Sequence, residues 1–183
     1  RILEAGDVVI CGGCVFAYVG GVEAQSQITV AIPPVSKENA ECARIARESY
    51  EAGLRALQPG RPMKEVVEAM AAPAERAGAW SGSGPNIHSM PIFLVGRQSA
   101  TSQRLRDEYF KDYYEKYNQR NDGRARPGRA EDTILKPGMV FEVEPRGGIG
   151  RHWVNIGGTV IVTEKGNEEL NKIGTKMQIV GEV

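Results

Sequence analysis

The first part of the chain contains short apolar runs of the kind that form β-strands. Val8–Cys11 and Cys14–Tyr18 are β-rich runs joined by Gly12-Gly13, a pattern typical of a hairpin. Glu23–Ile32 predicts a third strand, which Pro33-Pro34 ends.

Two amphipathic helices are predicted next. Ser36 is a typical N-cap for a long first helix that reaches Leu57. Apolar residues recur along it at helical spacing, at Ala43, Ala46, Tyr50, Leu54 and Leu57. A second helix is predicted to begin near Pro62, to be kinked or stopped by Pro73, and to finish at Gly78.

Strands return late in the chain. Val140–Glu144 and Thr159–Thr163 have the composition of strands, and Trp153–Ile156 predicts a third. Strands, then two helices, then strands again indicate an α+β fold in a single domain over residues 1–183, and not a βαβ array.

Residues 97–132 differ in composition from the rest of the chain. They mix charges of both signs and contain four of the six tyrosines, Tyr109, Tyr113, Tyr114 and Tyr117. One interpretation is a solvated surface insertion. The other is a tyrosine-rich lid or an arm that contacts a second subunit.

Composition narrows the possible partners and compartments. The 183 residues carry 23 Lys+Arg and 23 Asp+Glu, so there is no basic excess to indicate nucleic-acid binding. No apolar run approaches the roughly 18–20 residues of a membrane-spanning helix. Three cysteines are too few for a disulfide framework, and we therefore expect a reducing cytoplasm.

Three segments together resemble a known family. Lys136–Pro145 reads KPGMVFEVEP, Thr159–Gly166 reads TVIVTEKG, and Trp80–Pro91 reads WSGSGPNIHSMP. Their order and spacing resemble the pita-bread metallopeptidases: methionine aminopeptidase, Xaa-Pro aminopeptidase, prolidase and the metal-free relative creatinase. The resemblance implies a curved antiparallel sheet with helices on its outer face, in a chain that lacks the N-terminal part of the usual catalytic domain.

The resemblance also implies a metal pair held by two Asp, one His and two Glu, and most of these positions differ here. The His position is Ser81, and the last Glu position is Gly157. The first Asp falls on Gly12 or Gly13, and the second on Glu23 or Ala24. Glu144 alone clearly matches a ligand. Because a dinuclear site needs several anionic oxygens, we expect no metal and no other cofactor.

The remaining candidates for chemistry are an imidazole and two carboxylates. His88 matches a substrate-proximal His of the family, and an imidazole exchanges protons near neutral pH. Glu142 and Glu144 lie two residues apart on one strand and should share a face, as an acid/base pair or as a rim residue and a backbone-bonded residue.

Four further residues are candidates for substrate binding. Glu23 and Gln25 share one face of their strand, which is either a polar wall of the cleft or a solvated face. His152 is a second imidazole of the cleft, or else a packed or surface residue. Ser81 replaces the family His, and serine in a Gly-rich turn also serves simply as a turn residue.

Three functions remain open. The first is a metal-independent, creatinase-like hydrolase or lyase acting on a small amino-acid-like, amide or amidine substrate. The second is a non-catalytic relative that binds a small molecule or peptide, and the third is a Xaa-Pro peptidase with an atypical metal site. A small-molecule or short-peptide substrate and a homodimer are the expected partners, with no nucleic acid and no membrane.

Overall fold

A computed structural model describes residues 2–19, 22–81, 86–89, 94–95, 128–129, 133–170 and 172–182. Its strands are β1 Val8–Val19, β2 Val22–Ala31, β3 Ile87–Ser89, β4 Leu94–Val95, β5 Gly128–Arg129, β6 Val140–Val143, β7 Arg146–Ile149, β8 His152–Asn155, β9 Gly157–Thr163, β10 Gly166–Glu169 and β11 Gln178–Ile179. Its helices are α1 Lys37–Ala56 and α2 Met63–Arg76, with a 3₁₀ turn at Ile173–Thr175. The predicted α+β order is confirmed.

Among the described residues, one main sheet contains nine of these strands. Its order is β1-β2-β9-β6-β3-β4-β5, with β10 pairing with β9 and β11 with β2. The pairings among β1, β2, β9, β6 and β3 are antiparallel. The remaining two strands, β7 and β8, form a separate antiparallel ribbon.

The hairpin predicted at Gly12-Gly13 is wrong. β1 is continuous across these residues and pairs along its length with β2, with a shift of register between Cys11 and Val15. A strand tolerates an irregularity of this kind at glycine, because no side chain has to be accommodated where the ladder is interrupted. The glycines therefore mark a bulge within one long strand.

Helix α1 begins where the sequence predicts. The Ser36 side chain accepts a hydrogen bond from the Asn39 N–H at 3.1 Å, which satisfies one free donor of the first turn. Ala46 and Tyr50 lie fully buried on its inward face. The Tyr50 hydroxyl donates to Glu169 Oε2 at 2.8 Å and so ties the helix to β10.

Helix α2 continues through Pro73 to Arg76, so of the two alternatives predicted for Pro73, a kink or a stop, the stop is wrong. The proline removes one backbone N–H, but it lies in the last turn, where the fully buried Met70 and Ala74 hold the helix in place. In the part of the chain that the structure describes, no helix is long and apolar enough to cross a membrane.

The hydrophobic core lies between the helices and one face of the main sheet. Phe141 and Val143 of β6 and Val160 and Val162 of β9 pack there with residues of α1 and α2. Since side chains alternate along a strand, the residues between them project to the opposite face, which we call the inner face.

The burial of Cys42 in the core predicts that the stability of the protein depends on pH. This thiol is fully buried and donates to the His152 carbonyl, and burial raises its pKa from 9.0 to about 11. The unfolded chain loses the proton first, so the free energy of unfolding should fall as the pH rises from about 9 to 11, by about 1.4 kcal/mol per pH unit. Urea unfolding at pH 8 and 10 measures this fall, and Cys42→Ala should lack that part of it. An equal fall in the two proteins would contradict the prediction.

Candidate functional site

A row of polar side chains crosses four strands on the inner face. His88 of β3 lies opposite Glu142 of β6, and Glu142 lies opposite Thr159 of β9. The backbone N–H of Gln25 in β2 donates to Thr159 Oγ1 at 2.7 Å. Each of these four residues is 6% exposed or less. Directly opposite residues share a face, so the register alone brings the imidazole and the Glu142 carboxyl together.

A second row runs beside the first and contains Glu144. The Glu144 N–H donates to the Asn86 carbonyl at 2.8 Å, which continues the pairing of β6 with β3. Val143 pairs with Gly158, so Glu144 lies beside Gly157, which in turn pairs with Gln27 of β2. This row therefore has a glycine at its centre.

The Glu144 carboxylate lies between two nitrogen groups. Oε1 is 3.6 Å from His88 Nε2, and Oε2 is 3.6 Å from an Arg146 guanidinium nitrogen. Burial raises the pKa of the Glu144 carboxyl above its ordinary value, while the charges of Arg146 and His88 act to lower it. The three groups form a compact, largely buried cluster around the Glu144 carboxylate.

The β7–β8 ribbon supplies the guanidinium. Arg146 begins β7 directly after Glu144-Pro145 and lies opposite Asn155 of β8. The Asn155 Nδ2 donates to Gln27 Oε1 at 3.0 Å, which joins the ribbon to β2. The ribbon therefore folds Arg146 and Asn155 against the second row.

Ser81 is buried beside a pair of indoles. It follows Trp80, whose ring lies over Gly148 so closely that a Cβ there would come within 2.1 Å of a ring carbon. Trp80 Nε1 donates to the Gly150 carbonyl at 3.0 Å, and the Trp80 and Trp153 ring centroids are 6.2 Å apart. Packing against the ribbon thus fixes the place of Ser81.

Two of the residues predicted to bind substrate, His152 and Glu23, are not placed in the inner-face cluster by the described structure. His152 is exposed, and its Nδ1 lies 3.2 Å from Asn39 Oδ1 in α1. Its neighbour in the ribbon, Ile149, packs on the helix side, so the structure does not bring His152 to the inner-face cluster. Glu23 lies in β2 opposite Tyr18, but its side chain is outside the described residues, as is nearly all of 97–132.

The residues that the structure describes do not fit a metal pair. Within the described ranges, no group of three or more His, Cys, Asp or Glu side chains is placed to hold a metal ion. At Gly157, where the resemblance puts a ligand carboxylate, φ is +138° and a Cβ would lie 1.9 Å from the Val143 carbonyl oxygen. A side chain at this position is sterically blocked by backbone, so Glu144 stands without a second carboxylate from β9.

Sequence reasoning missed Arg146, Asn155 and Asn86. The first two reach the site only because the chain reverses at Gly150 to form the ribbon, and Asn86 reaches it through the pairing of β3 with β6. A signal for Arg146 was available: a basic residue directly follows the surviving ligand position and its proline.

Comparison with known proteins supports the fold described above. The family model of metallopeptidase family M24 matches residues 1–164. Dipeptidase PepE from Mycobacterium ulcerans is similar at 22% identity and a TM-score of 0.68, covering 98% of this chain and 42% of its own. Prolidase from Pyrococcus furiosus is similar at 21% identity and a TM-score of 0.66, covering 94% and 43%.

A shorter relative has the same fold. Methionine aminopeptidase from Rickettsia prowazekii is similar at 16% identity and a TM-score of 0.59, covering 91% of this chain and 65% of its own. No curated protein matches the sequence. The chain spans about two-fifths of the length of the dipeptidase and the prolidase, and the expected pita-bread fold is confirmed. Because the family model covers 164 of 183 residues, the chain belongs to metallopeptidase family M24.

Proposed function

We propose that this chain is a metal-independent hydrolase or lyase of creatinase type, which cleaves a C–N bond in a small amino-acid-like, amide or amidine substrate. The observation that carries the proposal is Gly157, where the backbone leaves no room for a ligand carboxylate. A guanidinium and an imidazole each lie 3.6 Å from the surviving carboxylate, Glu144.

The proposed chemistry is proton transfer by His88. In a hydrolysis, the oxygen of a water molecule bonds to the substrate carbon while His88 takes its proton, and the same proton then passes to the leaving nitrogen as the C–N bond breaks. Glu144 would orient the imidazole and balance its charge from 3.6 Å away. Glu142, opposite His88 in the sheet, is the second carboxyl of the proposed set.

The test is turnover by the purified full chain after treatment with a chelator. The panel contains small amides, amidines and dipeptides, and metal content is measured on the same sample. We expect turnover to survive chelation and His88→Gln to lower it about 100-fold or more, since a general acid/base contributes at least that much. Lys64→Gln on the exposed face of α2 is the control.

One result would overturn the proposal and favour the Xaa-Pro peptidase. This is stoichiometric Mn²⁺, Co²⁺ or Zn²⁺ on the purified chain, with an activity that chelation abolishes.

A specific observation favours the second candidate, a non-catalytic binding protein. Both contacts of Glu144 are 3.6 Å long, which is beyond hydrogen-bond distance. A cluster that holds its groups apart in this way suits the docking of a ligand between them. Binding of panel compounds without turnover, in both the parent protein and His88→Gln, would select this function.

We also propose the partners and location that the sequence favours. These are a small-molecule or short-peptide ligand, a homodimeric assembly and a reducing cytoplasm. Sedimentation of the full chain tests the dimer directly.

A further inference from the structure

Two buried amide oxygens, one on each side of the Glu144–Gly157 pair, have no hydrogen-bond partner in the described part of the chain. They are Asn155 Oδ1 and Asn86 Oδ1, on residues that are 1% and 7% exposed. A buried acceptor left without a donor costs about 1–3 kcal/mol, and most native proteins avoid that cost. These two oxygens therefore call for a donor, which either water or a bound molecule can supply.

The two residues lie on either side of the pair formed by Glu144 and Gly157. Asn86 lies next to Glu144 across the sheet, through the Glu144 N–H bond to its carbonyl. Asn155 is bonded through Nδ2 to Gln27, the residue that pairs with Gly157. Since glycine contributes no side chain to the second row, the sheet presents only backbone at Gly157, between the Glu144 side of the row and the Gln27 side.

Arg146 supplies hydrogen-bond donors next to Asn155. It lies opposite Asn155 in the ribbon, and its side chain is 17% exposed. Its ion pair with Glu144 is 3.6 Å long, so it leaves guanidinium N–H donors available to an acceptor. The site thus offers donors from one residue and acceptors from two others.

We propose that this site recognises a primary carboxamide or ureido group. Its carbonyl oxygen accepts from the Arg146 guanidinium, and its NH₂ group donates to Asn155 Oδ1 and Asn86 Oδ1. The inference rests on the proposed function, because it places the substrate amide in the same metal-independent cleft. A Xaa-Pro peptide bond cannot meet this requirement, since its nitrogen carries no hydrogen.

The test compares two probes that differ in their N–H groups. Binding of acetamide and of N,N-dimethylacetamide to the full chain is measured by ligand-observed saturation-transfer NMR. We expect acetamide to bind at least tenfold more tightly. Asn155→Ala and Asn86→Ala should each weaken acetamide binding about fivefold, as expected for the loss of one hydrogen bond.

A matched control separates recognition from general effects of a deleted buried polar atom. Ser49 Oγ in α1 is also buried without a partner among the described residues, so Ser49→Ala removes a comparable atom from the helix layer and should leave acetamide binding unchanged. Circular dichroism verifies that each variant is folded, and Asn155→Asp, which retains Oδ1 but loses the Nδ2 bond to Gln27, should keep acetamide binding.

Three outcomes would overturn the inference: equal binding of the two probes, binding of acetate in preference to acetamide, or no binding of any probe. None of them touches the proposed function, which fails instead on stoichiometric metal and chelator-sensitive turnover.

Discussion

Gly157→Ala is expected to lower the free energy of unfolding by about 3–5 kcal/mol. The backbone there has φ +138°, which a side chain rarely adopts, and the new Cβ would lie 1.9 Å from the Val143 carbonyl oxygen and 2.9 Å from Glu144 Cα. Both obstacles are backbone atoms, so the contact can be relieved only if β6 and β9 separate. Urea unfolding followed by circular dichroism measures the loss.

Gly138→Ala separates the two causes. Gly138 has a similar positive φ of +87°, but a Cβ there would meet nothing within 4 Å. Gly138→Ala should therefore lower the free energy of unfolding only by the backbone strain, about 1–2 kcal/mol. If the two variants lose the same stability, the contact with Val143 is not decisive and position 157 can accept a side chain.

The same contact explains why a metal site cannot be rebuilt by one substitution. Gly157→Glu would place a carboxylate beside Glu144 only after the β6–β9 pairing had opened. The absence of a ligand at this position is thus built into the backbone, and not only into the choice of side chain.

Local signals in the sequence were enough to predict both helices and the strands β2, β6, β8 and β9. Ser36 marked the start of α1 because N-capping depends only on neighbouring residues. Strand-like composition identified β2, β6 and β9 to within two residues at each end. The errors at Gly12-Gly13 and Pro73 arose where distant contacts, with β2 and in the core, outweigh a local preference.

The part of the candidate site that lies on a single strand could be predicted from the sequence. Glu142 and Glu144 share a face by their spacing, and the family resemblance pointed to His88. The partners Arg146, Asn155 and Asn86 were not predictable, because their places depend on register between strands distant in sequence. No local pattern encodes that register.

Thr159→Val is expected to cost about 2–4 kcal/mol of stability, although the two side chains have nearly the same shape. Thr159 Oγ1 accepts the Gln25 N–H at 2.7 Å and lies 3.2 Å from both the Gln25 carbonyl and Glu142 Oε2. The substitution removes a buried acceptor and a buried donor at once, and each such loss costs about 1–3 kcal/mol. Urea unfolding again gives the measurement.

A double-mutant cycle identifies the interaction responsible. The Thr159 hydroxyl carries one proton, so it donates to either the Gln25 carbonyl or the fully buried Glu142. If it donates to Glu142, Glu142→Gln and Thr159→Val will couple by about 1–2 kcal/mol. Thr163→Val, at the half-buried end of the same strand, should change stability by less than about 0.5 kcal/mol. Additive losses would instead assign the hydroxyl to the backbone of β2, and Glu142 would then belong to the proposed chemistry without support from Thr159.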